Sequence, residues 1–282
     1  MTTLVFGTTG MVARALGQTA GSRAFMALSR SDADLFDPAA CATAIEAVRP
    51  SAVINAAAYT AVDKAEGEEE IARVVNAAAP AAMAAICAAF EIPFLHLSTD
   101  YVFDGAGTVP RQPDDPTRPI NAYGRTKLAG EMAIRETGAR HAILRTSWVF
   151  SEHGANFLRT MLRLADTRDA LRVVGDQIGG PTPARGIAEA LWTITDALID
   201  GHGGGTFHYS GAPDISWAGF AGAIFEEAAR EVTVTGIPTS EYPTPAARPL
   251  NSRLDCSRTT SEFGLERPMW REDVTRITRL LT

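Results

Sequence analysis

Tyr123 and Lys127 stand four residues apart in Tyr123-Gly124-Arg125-Thr126-Lys127. On a helix that spacing is about one turn, so phenol and ammonium share a face. The ammonium favours the phenolate and is expected to lower the tyrosine pKa toward the range of a working acid–base group. Thr99, in Leu97-Ser98-Thr99-Asp100-Tyr101-Val102-Phe103, adds a hydroxyl from another segment. It can hold a carbonyl beside the phenol. The chemistry this suggests is carbonyl reduction with a positioned proton donor. A Tyr-x-x-x-Lys spacing alone arises often by chance, so the reading depends on a nucleotide site elsewhere in the chain.

Such a site is suggested at the start, in Thr2-Thr3-Leu4-Val5-Phe6-Gly7-Thr8-Thr9-Gly10-Met11-Val12-Ala13. A short apolar run leads into Gly7, and a helical pattern opens at Met11 and Val12. Gly7 permits a tight turn, and Gly10 lets the backbone approach a pyrophosphate. Ala13 stands where a small residue lets helix pack on strand. The N–H groups of the first helical turn then point at the phosphates. The spacing is Gly-x-x-Gly-x-x-Ala, without the G-x-G lead, and a plain strand–helix turn is the alternative. No G-x-x-x-x-G-K-[ST] motif occurs, so a P-loop has no support.

The elements that must position these residues follow from periodicity. Strands are expected over 4–6, 25–28, 52–55, 94–97 and 142–144. Helices are expected over 11–19, 38–48, 66–90 either unbroken or with a break, and 123–137. Alternation of this kind predicts parallel βαβ units, with ligands beyond the carboxyl ends of the strands. Gly7, Asn55, Ser98 and Thr99 all fall at such ends. The second half reads as helices over 156–165, 187–199, 217–230 (with Ser216 as N-cap) and 270–281, and strands over 171–174 and 206–209. A dinucleotide-binding domain over 1–150 and a smaller substrate lobe over 151–282 are expected, with some later elements returning to the sheet.

Composition bounds the rest. The chain has 282 residues, 46% hydrophobic and 21% charged, and a net charge of −7. That fits an ordinary globular protein and, without a basic block, argues against nucleic-acid binding. Cys41, Cys87 and Cys256 read as buried free thiols in a reducing, cytoplasmic setting. No apolar run of about 18 residues is evident, so no membrane span is expected. The stretch 76–90 reads as too short and too weakly apolar. His96, His141 and His208 lie in apolar strand patterns and read as core residues, while His153 and His202 read as exposed. Glu68-Glu69-Glu70 reads as a solvated face. No histidine, cysteine or carboxylate cluster has metal-ligand spacing.

The longer motifs resemble the extended branch of the short-chain dehydrogenase/reductase superfamily, and within it the dTDP-4-dehydrorhamnose reductase family. They run from Asn55-Ala56-Ala57-Ala58-Tyr59-Thr60-Ala61-Val62-Asp63-Lys64-Ala65-Glu66 through Ser98-Thr99-Asp100-Tyr101-Val102-Phe103-Asp104-Gly105. Arg145-Thr146-Ser147-Trp148-Val149-Phe150 and Asp176-Gln177-Ile178-Gly179-Gly180-Pro181-Thr182 follow. Ser216-Trp217 and Arg248-Pro249-Leu250-Asn251-Ser252-Arg253-Leu254-Asp255 complete the series in family order. The resemblance implies an α/β fold: a Rossmann-type doubly wound parallel sheet with a smaller, partly interleaved α/β substrate lobe. It implies NADPH-dependent reduction, with NADH also usable, of the C4 keto group of dTDP-4-dehydro-6-deoxy-L-mannose. In that scheme Tyr123 protonates the new alkoxide, Lys127 tunes Tyr123 and holds the nicotinamide ribose, and Thr99 orients the carbonyl. Asp100, Tyr101, Trp148, Arg248 and Asn251 fall on the substrate side. Taken singly, Tyr101 and Trp148 read as packed aromatics, and the resemblance reverses this. Gly7, Gly10, Met11, Val12, Asn55, Ala56 and Ala57 fall on the cofactor side, where Asn55 either meets the cofactor or fixes a neighbouring turn.

Cofactor choice rests on the end of the second strand. Ser29-Arg30-Ser31 offers a hydroxyl and a guanidinium, which suit a 2′-phosphate, although Asp32 is close by. Asp34 and Leu35 match family positions near the adenine. An exposed surface turn is the other reading of Arg30. Three departures from the pattern stand out: Met11 replaces a usual glutamine, Ala13 replaces the third glycine, and Ala15 replaces a glutamate that binds magnesium between subunits in some dimeric members. No metal is therefore expected, and the chain is read as a monomer or homodimer. Two alternative functions are another nucleotide-sugar reductase or epimerase, and a non-catalytic subunit of the same fold.

Overall fold

The computed structural model describes residues 2–281. Five strands of the first half alternate with helices: β1 (Thr2–Phe6), α1 (Met11–Thr19), β2 (Ala24–Leu28), α2 (Pro38–Val48), β3 (Ala52–Asn55), α3 (Glu69–Ala89), β4 (Phe94–Thr99), α4 (Ala122–Glu136) and β5 (His141–Thr146). After α5 (Phe157–Ala165) and α6 (Ala184–Ile199), β6 (Gly205–His208) joins the same sheet, which has the order β6-β5-β4-β3-β1-β2 with every pair parallel. The α/β fold with a parallel central sheet is thus as the sequence predicts.

Both sheet faces are covered, which is why the strands read as apolar runs rather than alternating ones. Successive residues point to opposite faces. Val5, Ile54, Leu95, Leu144 and Phe207 pack with α1 and α6, and Trp192 of α6 donates its indole N–H to Leu16 O at 3.1 Å. Leu4, Phe6, Val53, Phe94 and Ile143 pack on the other side with Cys41, Ile45, Met83, Cys87 and Ile134. A second core, around Phe150, Leu158, Phe220, Phe225 and Trp270, unites α5, α7 (Trp217–Glu227) and α8 (Trp270–Leu281). As expected, Ser216 caps α7, its hydroxyl accepting from Gly219 N–H at 3.0 Å.

Three readings need correction. The expected helix over 66–90 begins at Glu69, after a separate turn of helix at Val62–Ala65, and α3 then runs on continuously through a π turn at Val74–Ala78. Pro80 directly follows that π turn, which locally changes the hydrogen-bond ladder, and the helix continues past it. The resulting 21 residues are long and apolar enough to cross a membrane by length and composition. Half of that stretch is buried in the protein, however, with Met83 and Cys87 in the sheet core, so α3 is a core helix. The sequence also misses several short strands, among them Thr233–Ile237 paired with Ala170–Val174, because two- to five-residue exposed strands carry little periodicity. Finally, His153 and His202 are half-buried: His153 meets Gln18 and His202 pairs with Glu262 at 3.0 Å.

Helix α4 is held at both ends. At its start, Asn121 Oδ1 accepts from Gly124 N–H at 2.8 Å, and Glu66 accepts from Ala122 N–H at 2.8 Å. Gly124 is needed because a Cβ there would lie 2.2 Å from Tyr101 O. Farther along, the fully buried Glu131 carboxylate meets Arg145 of β5 at 2.6 and 2.8 Å and accepts from Ser98 of β4 at 2.6 Å. Burial opposes its ionisation, but Arg145, Ser98 and Arg135 outweigh that and hold its pKa below the usual glutamate value. Its contribution to stability is therefore present above the ordinary glutamate range and is lost as pH falls through the depressed folded value. Glu131→Gln leaves Arg145 buried without its counter-charge, and should lower unfolding free energy by about 3–5 kcal/mol. Urea denaturation at neutral pH measures this; a loss under about 1 kcal/mol, the scale of an exposed pair, would contradict it.

Candidate active site

One large cavity, about 890 Å³, opens over the carboxyl ends of the strands. That volume lies in the upper part of the range of small-molecule sites. At one end is the turn after β1. Gly7 has φ +113°, a conformation that L side chains rarely adopt, and its N–H donates to Leu28 O at 2.9 Å. Gly10 is the N-cap of α1, with ordinary φ and nothing within 4 Å of where a Cβ would be. Its bareness leaves the first N–H groups of α1 open to the cavity, the arrangement that anionic groups use. Met11 and Val12 line this end with Thr8 and Thr9.

Beyond β2 the wall is formed by Ser29, Arg30, Asp34 and Leu35, joined by Ala33 and Phe36. Arg30 Nε donates to Asp34 Oδ2 at 3.0 Å, and its guanidinium carbon lies 4.9 Å from the Phe36 ring centroid. Most of the Arg30 side chain is exposed (73%), so its remaining donors face outward. Asp32 is turned back onto Ser29, accepting from its N–H and hydroxyl at 2.8 and 2.6 Å. The carboxylate nearest the motif is thereby occupied. Ala56 and Ala57 line the cavity after β3. Asn55 is fully buried behind them, where its Oδ1 accepts from Ala57 N–H at 3.1 Å. Of its two sequence-based readings, it therefore has the turn-fixing geometry.

Thr99, Asp100, Tyr101, Tyr123, Lys127 and Trp148 meet in the middle of the same cavity. The rings of Tyr101 and Tyr123 sit edge to face, 5.7 Å apart. Thr99 Oγ1 accepts from Tyr101 N–H at 3.2 Å and meets Asp100 Oδ1 at 3.2 Å. Asp100 is buried, and its Oδ2 has no hydrogen-bond partner. Burial pushes its carboxyl up to about 7, against the nearby hydroxyls of Ser252 and Thr99.

The electrostatics of the Tyr123–Lys127 pair differ from the sequence expectation. Burial pushes the Tyr123 phenol up to about 12; the Thr99 hydroxyl opposes this and Asp100 adds to it. Lys127 does not pull it down. Its amine is turned toward β4, donating to Leu97 O at 2.8 Å and meeting His96 Nε2 at 3.0 Å. Burial lowers the Lys127 pKa to about 8, opposed by Glu131. The helical spacing does put both groups on one side of α4, but the buried strand carbonyl and imidazole compete for the ammonium. His96, read from the sequence as a core residue, is both buried and in contact with Lys127.

The substrate-side residues separate into two groups. Trp148 lines the cavity with φ +48° and lies flat on Trp217, ring centroids 3.6 Å apart and 11° from parallel. Trp217 also lines the cavity, and its indole N–H donates to Gln177 at 3.2 Å. Its presence could have been inferred from the Ser216-Trp217 motif. Arg248 and Asn251 do not line it. Arg248 pairs with Asp63 at 2.9 Å, and its charge is felt at Tyr101. Asn251 is buried, donating to Val109 O at 2.9 Å and accepting from the Arg253 guanidinium at 3.0 Å. Its side chain ties the 105–111 loop to the segment that carries it. Among the described residues no cluster of three His, Cys, Asp or Glu side chains is placed to hold a metal.

The family model of the RmlD substrate binding domain matches residues 1–282. A dTDP-4-dehydrorhamnose reductase of Sinorhizobium fredii is 44% identical over 281 residues, covering 97% of this chain and 95% of that one. The crystal structure of a dTDP-4-dehydrorhamnose reductase from Clostridium acetobutylicum superposes with a TM-score of 0.93 at 34% identity, over 100% of this chain and 99% of the other. One from Bacillus anthracis, solved in complex with NADP, gives 0.91 at 31% identity with the same coverage. The glycine turn, the Thr99–Tyr123–Lys127 cluster and these full-length matches agree: the chain belongs to the RmlD substrate-binding-domain family of reductases.

Proposed function

We propose that the protein reduces the C4 keto group of a nucleotide-linked 4-dehydro-6-deoxy sugar, dTDP-4-dehydrorhamnose to dTDP-L-rhamnose, with NADPH. The observation that carries this reading is the convergence of Thr99, Tyr123 and Lys127 in one cavity with the bare glycine turn of α1. The named relatives and the NADP complex support the same substrate and cofactor. Three buried free cysteines fit a reducing cytoplasmic setting.

The residues present suit the cofactor. Gly10 and the N–H groups of α1 would hold the pyrophosphate, Arg30 a 2′-phosphate, and Lys127 the nicotinamide ribose. Bound NADPH supplies the hydride that the sugar C4 accepts. Thr99 and Tyr123 hold the keto oxygen, and the Tyr123 phenol gives it a proton as it becomes an alkoxide. A phenol pushed up to about 12 is fully protonated at neutral pH, so the donor is always loaded. Trp148, backed by Trp217, forms a flat apolar wall for the sugar nucleotide.

Tyr123→Phe removes only the hydroxyl. Cofactor affinity should hold while turnover falls about 10²–10⁴-fold, the usual loss of a positioned acid. Thr99→Ser should keep much of the activity and Thr99→Val should not; steady-state rates with the 4-keto sugar nucleotide decide, and near-normal turnover of Tyr123→Phe would remove Tyr123 from its role.

Arg30→Ala should weaken NADPH more than NADH by roughly 1.5–3 kcal/mol, the scale of a charge-assisted bond. Equal losses in fluorescence titrations would show that Arg30 does not read the phosphate. Trp148→Ala should raise KM for the sugar nucleotide and leave NADPH binding intact; an unchanged KM with a lowered melting temperature would mark the ring as packing only.

A further inference from the structure

Phe36 is 42% exposed and stands outside the apolar cores on both faces of the sheet, yet it lines the cavity beyond β2. Its ring meets Arg30, whose guanidinium carbon lies 4.9 Å from the ring centroid. Arg30 Nε donates to Asp34 Oδ2 at 3.0 Å. The other oxygen of the same carboxylate, Oδ1, accepts from Phe36 N–H, also at 3.0 Å. Asp34 thus fixes both partners of the contact: one oxygen holds the backbone that carries the ring, and the other holds the guanidinium beside it. Nε is spent on Asp34, and the N–H groups of Nη1 and Nη2 remain for a ligand.

The charge of this turn decides how an anion can be recognised there. Residues 29–36 carry one positive charge, on Arg30, and two negative ones, on Asp32 and Asp34. Both carboxyls are held below their usual range, Asp32 by Ser29 and Asp34 by the Phe36 N–H and Arg30, so both are ionised at neutral pH. A phosphate therefore gains nothing from the net field of the segment. Its attraction has to come from short, charge-assisted bonds to Nη1 and Nη2. A planar guanidinium makes two such bonds at once only when its plane is correctly turned. The Arg30 side chain is 73% exposed, and an arginine in solvent spreads over many rotamers. Asp34 fixes one point of it, Nε, about which the fork can still swing. The face of Phe36 supplies the second point of support.

We infer that Phe36 is a positioning residue for cofactor choice: its ring holds the Arg30 guanidinium so that Nη1 and Nη2 meet the adenosine 2′-phosphate of NADPH. This rests on the reading of Arg30 given above. An adenosine with a free 2′-hydroxyl presents no pair of anionic oxygens to the fork, so the ring matters to NADPH and little to NADH.

The readout is the ratio of dissociation constants, NADH over NADPH, from fluorescence titration of the intact protein, which needs no turnover. Phe36→Leu keeps apolar bulk and removes the ring. The ratio should fall about 2–5-fold, the scale of an exposed cation–π contact. Phe36→Tyr restores an aromatic face and should keep the original ratio. Phe36→Met, which also lacks a ring, should behave as Phe36→Leu and stands in if that variant does not fold. In an Arg30→Ala protein, Phe36→Leu should leave the ratio where it is, since the ring then has no guanidinium to hold. A ring that only packs would lower the melting temperature and weaken both cofactors alike. That result, an unchanged ratio in Phe36→Leu, or an equal fall with and without Arg30, overturns the inference. If Arg30→Ala by itself leaves the ratio unchanged, the phosphate reading of Arg30 fails and this inference fails with it. If Arg30→Ala lowers the ratio and Phe36→Leu does not, this inference alone fails.

Discussion

Glu131 ties one helix to two strands, and the geometry of the cavity depends on it. Its carboxylate takes Ser98 of β4 and Arg145 of β5 together, both in the protein interior. Lys127 and Tyr123 lie one and two turns back along the same helix, so their height above the strand ends is set by this buried contact. The Asn121 cap and the close approach of Gly124 to Tyr101 fix the other end. A buried ion pair is expensive to desolvate and seldom a net source of stability. Here it provides registration, since a helix held by apolar contacts alone could slide or turn, whereas one held by a paired carboxylate cannot without stranding a charge. Groups that must meet a substrate within a fraction of an ångström need such support.

The second lobe is organised around aromatic stacking. Trp148 adopts a left-handed backbone conformation that costs of order 1–3 kcal/mol, and it persists where surrounding contacts over-determine it. The face of Trp217 and the tight approach of Gly179 are those contacts. The strain lies at the cavity wall, between a sheet strand and the lobe. The Asp63–Arg248 pair links the helical turn at Val62–Ala65, after β3, to the 243–251 segment.

Much of this was legible in the sequence, for physical reasons. Strands β1, β3, β4 and β5 show as apolar runs because they are buried on both faces, and the edge strand β2 is apolar although half-exposed. Helices over 11–19, 38–48 and 270–281 have the same limits in the structure. Motifs at strand ends fall in one cavity because parallel sheets put their loops on one edge. What the sequence hides is whatever depends on partners far along the chain. His96 is 41 residues from Asn55 and 31 from Lys127, so no local pattern reveals the hydrogen bonds that join them. The same holds for the Tyr123 phenol, which burial raises: the helical spacing shows the lysine nearby, but neither that burial nor the strand carbonyl that the lysine bonds instead. The bonds of the Asn251 amide to Val109 and Arg253 are likewise invisible in the motif that carries it.

The central claim is hydride delivery to C4 of a nucleotide-linked 4-keto sugar with a proton from the protein. It is tested most directly by following the label. The protein would be given NADPH carrying deuterium in the transferable position, together with dTDP-4-dehydrorhamnose, and the product examined by NMR and mass spectrometry. One deuterium at C4 of dTDP-L-rhamnose, matched by one equivalent of NADP formed, is the predicted result. An unlabelled sugar, a label at another carbon, or a changed sugar with no net oxidation of NADPH would contradict it.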